Sequence, residues 1–204
     1  MDFWTTILLS AAVTAIAAIG LFLQIRSGQM NVGMAVFVGV GGYVSGALGV
    51  RLGMSPLLSI PIAILAGFVF GALFSLITLR LHHWFFAVTT LTLSVAAVSA
   101  VGRIEVIGGA LGLTGIPFVT HPLPIIAALL ATFIIAWWVD RSTVGLAIRA
   151  TGDDEVLAEV FAVRVKLLRI AVFGLGSAMA ALSGALHAQQ QSHGYESCRY
   201  AANL

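Results

Sequence analysis

Six stretches of this 204-residue chain contain no Asp, Glu, Lys or Arg, and each is at least 22 residues long. They lie between Asp2 and Arg26, Arg26 and Arg51, Arg51 and Arg80, Arg80 and Arg103, Glu105 and Asp140, and Arg169 and Glu196. An α-helix needs about 20 apolar residues to cross a hydrocarbon layer of ~30 Å. Soluble core helices have no reason to repeat that length six times. Strand-type alternation is absent, which leaves helices as the structure that satisfies its own backbone in lipid. Charged residues make up 9% of the chain against roughly 25% in soluble domains, and the mean hydropathy is +1.06. The expectation is an all-α integral membrane protein of about six transmembrane helices, near residues 3–23, 31–50, 55–78, 84–102, 121–139 and 168–188. These spans share one kind of composition, so residues 1–204 read as one transmembrane domain interrupted by a polar loop at 140–168.

Basic residues stay on the cytoplasmic side of a membrane protein. Residues 140–169 hold Arg141, Arg149, Arg164, Lys166 and Arg169, five of the ten Lys and Arg. Placing this loop inside also puts Arg26 and Arg80 inside and leaves Arg51, Arg103 and Arg199 outside, a balance of seven to three. The N-terminus is then external. Only Asp2 precedes the first apolar run, which reads as a retained span and not as a cleaved leader. The net charge of +2 is small and dispersed, so no nucleic-acid partner is expected. The single cysteine, Cys198, excludes an intrachain disulfide.

Residues 27–50 carry seven glycines, including Gly39, Gly41 and Gly42. Glycine lets helix backbones approach closely and also permits a discontinuous span whose freed backbone groups face a cavity. Gln29, Asn31 and Tyr43 add polar groups at the ends of this span. The fourth span offers hydroxyls at Thr89, Thr90, Thr92 and Ser94, which bond either to their own helix or, as a set, to a polar solute. Gly67 and Gly71, and Gly176, Ala180 and Gly184, repeat at four residues and read as packing faces.

The 140–168 loop is too polar for lipid yet has helical order. Thr151, Asp153 and Asp154 are cap candidates, with Arg164 and Lys166 late, a polarity that suits a helix macrodipole. Val156, Val160 and Val163 fall on one stripe and Glu155 and Glu159 on another. Anionic headgroups repel acidic residues, so a short amphipathic helix here points to a cytoplasmic protein partner over the lipid surface. The five histidines lack metal-ligand spacing, and no metal site is expected. No ionisable residue lies deep in a span, as a proton-coupled carrier would need.

Gly28-Gln29 followed by Gly33, Ala35, Phe37, Gly39, Gly41 and Tyr43 resembles a G-Q-x-x-x-G-x-A-x-F-x-G-x-G-x-Y stretch of the permeases of branched-chain amino acid ABC transporters. Phe85 to Leu91 resembles their next signature, and Gly112 to Pro117 the G-L-T-G-I-P loop that contains Thr114. Ser142, Gly145, Arg149-Ala150, Asp154-Glu155 and Ala158-Glu159 resemble the family's ATPase-docking loop. Ala162 stands where that loop has glycine, and Leu146 and Gly152 where basic residues are expected.

The resemblance covers about residues 10–195, and the family's chains continue through further helices, so a truncated product is expected. It implies a permease of a bacterial inner-membrane importer, without enzymatic chemistry of its own. The implied partners are two ATPase subunits, a second permease subunit, an external substrate-binding protein and the lipid bilayer. The chain has no G-x-x-x-x-G-K-[ST] phosphate loop, so it holds no cofactor and ATP would sit on a separate subunit. The implied ATPase-coupling residues are Arg149, Asp153, Asp154, Glu155, Ala158, Glu159 and Ala162. The implied translocation path takes Gln29, Asn31, Gly39, Gly41, Gly42, Tyr43, Thr89, Thr90, Thr92, Ser94 and Thr114. A passive channel or secondary carrier for a small polar solute is the competing expectation.

Overall fold

The computed structural model describes residues 3–78, 81, 83–101, 103, 123–161 and 164–201, with the backbone alone from 191 onward. Among the described residues eight helices run in order: α1 (Phe3–Arg26), α2 (Met34–Leu52), α3 (Pro56–Thr78), α4 (His83–Val101), α5 (Leu123–Arg141), α6 (Thr143–Asp153), α7 (Glu155–Val160) and α8 (Val165–Ala201). Among the described residues there is no strand. α1, α2, α3, α5 and α8 each contain a segment long and apolar enough to cross a membrane, and Trp84–Ala100 in α4 is a shorter apolar helix. The six expected spans and these six helices coincide to within a few residues, except that α8 continues to Ala201 where the expected span ends at 188. The Gly112–Pro117 loop and Thr114 lie outside the described residues.

α8 is the post around which α1, α2 and α3 are arranged. It is the most buried of the candidate spans, whereas α3 and α5 turn Leu57, Leu65, Ile77, Phe133 and Trp138 outward. Outward apolar side chains are what lipid requires of a span. The α8 contacts are backbone-close. A Cβ on Gly41 of α2 would collide with the backbone of Ala181, and one on Gly184 with the carbonyl of Val38. A Cβ on Gly67 or Gly71 of α3 would meet the side chains of Ala181 and Ser177. Gly20 of α1 faces the carbonyl of Gly176, and Gly176 in turn faces that of Gly20. Small residues permit this approach, which dispersion and hydrogen bonds then stabilise. Ser183 Oγ adds a bond of 2.7 Å to the Val13 carbonyl.

Irregular backbone lies just before α2, at residues 27–33, and α2 itself is unbroken. The reading that placed the second span from residue 31 therefore starts the helix too early. α1 ends in a Schellman motif: Gln29 N–H bonds the Gln24 carbonyl at 3.1 Å and Gly28 N–H that of Ile25 at 2.9 Å. Gly28 sits at φ 79°, which a residue with a Cβ resists.

Replacing Gly41 by Leu is expected to separate α2 from α8 and to cost about 1–3 kcal/mol, as overpacking does. Open space surrounds Gly39, so Gly39→Ala should leave stability within about 0.5 kcal/mol. Thermal unfolding of the two variants in detergent checks the contrast.

Candidate functional site

The irregular segment 27–33 carries a cluster of buried, uncharged polar side chains. Gln24, Ser27, Gln29, Asn31, Ser75, Thr90 and Ser177 are all buried. Gln24 Nε2 donates to the Phe173 carbonyl at 3.0 Å and to Ser177 Oγ at 3.3 Å, both on α8. Asn31 Nδ2 donates to Gln24 Oε1 at 2.9 Å, and Asn31 Oδ1 accepts from Gly33 N at 2.9 Å. Ser27 Oγ reaches the Gln24 carbonyl and Gln29 Oε1, and Gln29 Nε2 donates to Ser75 Oγ of α3 at 3.1 Å. Val32 N–H donates to Thr90 Oγ1 of α4 at 3.1 Å. One short segment thus ties α1, α3, α4 and α8 together.

The network abuts an aromatic cluster through Phe173. The Phe37, Phe74 and Phe86 rings lie 5.5–5.9 Å from that of Phe173, and Phe70 lies 5.8 Å from Phe37. These edge-on and tilted contacts suit the ring quadrupoles. Amides and hydroxyls beside aromatic walls supply hydrogen-bond donors and acceptors, and none of these side chains carries a charge.

Of the expected path residues that are described, Gln29, Asn31 and Thr90 belong to this network and the others do not. Gly41 is a packing contact, and Gly42 lies beside the Gly184 carbonyl, which a Cβ would approach to 3.2 Å. Tyr43 and Ser94 are half-buried. Thr89 and Thr92 bond back to the Phe85 and Val88 carbonyls of their own helix, at 2.7 and 2.9 Å. The hydroxyls of α4 therefore divide between two faces, Thr89 with Thr92 three residues apart and Thr90 with Ser94 four apart, and do not converge on one. Gln24, Ser27, Ser75 and Ser177 went unnoticed in the sequence. The available signal was a glutamine, Gln24, inside an uncharged apolar run.

The polar loop forms two helices where one was expected. Ser142 caps α6, its hydroxyl accepting from Gly145 N at 3.3 Å. Thr151 is inside α6 and bonds the Ala147 carbonyl, so it is not a cap. Asp154 breaks the run with extended backbone and caps α7, accepting from Val156 N and Leu157 N at 2.9 and 3.1 Å. Glu155, its side chain 41% exposed, pairs with Arg169 Nη1 of α8 at 2.9 Å, where the Arg169 side chain is only 10% exposed. Arg149 grips Asp140 at 2.7 Å, and Arg26 approaches the same carboxylate at 3.4 Å.

Asp154, Glu155 and Arg149 thus each make a contact within the chain. Ala158 is buried, and Asp153 and Glu159 remain exposed. The exposed surface of α7 is largely apolar: Val156, Leu157, Val160 and the following Phe161 all face outward. Ala162 lies outside the described residues.

A family model described as branched-chain amino acid transport system / permease component matches residues 3–200. Comparison with curated proteins and with solved structures gives no match.

Gln24→Leu removes the acceptor of Asn31 Nδ2 and is expected to cost about 1–3 kcal/mol, the penalty of a stranded buried donor. Thr89→Val and Thr92→Val should stay within about 0.5 kcal/mol of the parent. Melting temperatures in detergent test both statements.

Proposed function

This chain belongs to the branched-chain amino acid transport permease family, is a multi-pass membrane permease and not an enzyme, and we propose that it forms half of the translocation path of an ATP-driven importer. The observation that carries the reading is the family match over residues 3–200. In this proposal the solute is leucine, isoleucine, valine or a related small amide. An external binding protein delivers it, and a second permease subunit completes the path. Two ATPase subunits bind ATP and drive alternating access. The membrane is the bacterial inner membrane, with the N-terminus outside and the 140–168 loop in the cytosol. The competing reading of a passive channel or secondary carrier gains no support from a specific contact.

The outward face of α7 is the part of the loop offered to an ATPase. Its apolar residues, Val156, Leu157, Val160 and Phe161, are exposed between spans that reach into lipid. A short helix of this kind docks into a hydrophobic groove through a few apolar anchors. Glu159 lies at the same helix and would meet a basic group on the rim. Glu155 acts differently: by holding Arg169 it fixes α7 to the start of α8. An ATPase biases the permease only if it binds two permease conformations unequally, which requires that a load on α7 be felt elsewhere in the bundle.

Val160→Asp is expected to lower ATPase co-purification about tenfold, the loss typical of a buried anchor, with membrane insertion unchanged. Glu159→Lys should have a smaller, salt-dependent effect, as rim charges do. ATP-dependent uptake of radiolabelled leucine by proteoliposomes holding all partners should fall in proportion. Uptake that needs neither ATP nor the ATPase would instead establish the channel or carrier.

A further inference from the structure

Gly152 lies next to the last residue of α6, and the end of α1 packs directly against it. A Cβ there would collide with the carbonyl oxygen of Arg26 and come within 3.4 Å of Gly28 N. No side chain fits unless α6 and the 26–28 turn move apart. Two further contacts frame this one. Ile148 of α6 is buried in the same apolar cluster as Leu23 of α1. Asp140 is held by Arg149 from α6 and Arg26 from α1. The end of α6 is therefore seated on α1 by a glycine contact, an apolar contact and a shared carboxylate.

The turn beneath that seat is the one whose side chains build the buried network. Gln24, Ser27, Gln29 and Asn31 lie within seven residues of one another, and their bonds run to Phe173 and Ser177 on α8 and to Ser75 on α3. The backbone of Val32 in the same segment is bonded to Thr90 on α4. The seat of α6 is therefore one turn away from hydrogen bonds to three further helices, α3, α4 and α8.

We propose that Gly152 and the 26–28 turn form the joint that carries motion of the α6–α7 loop into the buried amide network, with Gly152 as a positioning residue. The proposal rests on the ATP-driven reading for the source of the motion and not for the joint itself.

Two measurements on the full chain test it. Hydrogen exchange in detergent reads the joint alone. Gly152→Ala should speed exchange of the Val32 and Gly33 amides about tenfold by loosening their local structure, with α5 unchanged. Asn31→Ala should do the converse and speed exchange at Gly152, Asp153 and Asp154. In proteoliposomes with ATPase and binding protein, Gly152→Ala should retain normal ATPase association and hydrolysis, while leucine imported per ATP falls at least several-fold. A simple loss of stability would not produce that split.

Unchanged exchange at 27–33 in Gly152→Ala overturns the joint. So does a fall in uptake matched by an equal fall in ATPase association, which would make Gly152 a docking residue. If exchange responds as stated but the parent chain recruits no ATPase, the joint stands and the ATP-driven reading fails.

Discussion

The close approach of α1, α2 and α3 to α8 is the contact on which the rest of the structure depends. In lipid, burying one apolar helix against another yields little hydrophobic gain, because the tails are as apolar as the side chains. What remains is dispersion at short range and the hydrogen bonds that short range permits. Both require that nothing stand between the backbones. Gly41 against Ala181, Gly184 against Val38, and Gly20 against Gly176 meet that condition. Only at such separations does Ser183 reach the Val13 carbonyl and Gln24 that of Phe173. Larger residues in these places would abolish the polar contacts along with the packing.

Given that spacing, the polar interior is built from neutral groups. Gln24, Gln29 and Asn31 have amides that donate and accept at once, so a few side chains satisfy one another and the irregular backbone at 27–33. A buried charge carries a desolvation cost of several kcal/mol that a single pair offsets only in good geometry. Arg169 illustrates the difference. It is buried, one nitrogen meets Glu155, and its Nε and Nη2 have no hydrogen-bond partner among the described residues. The chain places this more costly group at the start of α8, beside the loop, and keeps uncharged amides deeper between the helices.

How much of this was legible in the sequence follows from the range of each interaction. The spans were legible because lipid acts on every residue of a run, so six charge-free runs map onto six helices. The four-residue spacing of Gly67 and Gly71 marked a packing face, which the structure turns toward α8. The break before α2 was placed a few residues early, because Gly28 reads equally as a packing glycine or as a helix terminator until its φ is known. The split of the loop at Asp154 was missed for a related reason. An aspartate three residues after Thr151 signals a cap without saying which helix it caps. Residues joined across the bundle, such as Gln29 with Ser75 or Glu155 with Arg169, have no local signature. Glu155 in particular looked like a docking charge, and only tertiary placement pairs it with Arg169.

The position of the irregular segment within the bundle has its own physical reason. Backbone that leaves a helix inside a membrane needs substitute partners, and these are most readily supplied where several helix ends converge. The C-termini of α1 and α5, the N-terminus of α8 and the α6 helix meet at one end of this bundle, and residues 27–33 lie there. Placing it mid-span would surround it with helices whose backbone groups are already bonded to themselves. At the converging ends, the network finds Ser75 and Thr90 on neighbouring helices and has the seat of α6 directly beside it. The same requirement that satisfies the broken backbone therefore puts the buried polar network next to α6. A rigid, fully helical connection between α1 and α2 would remove both the need for the network and the turn on which α6 is seated.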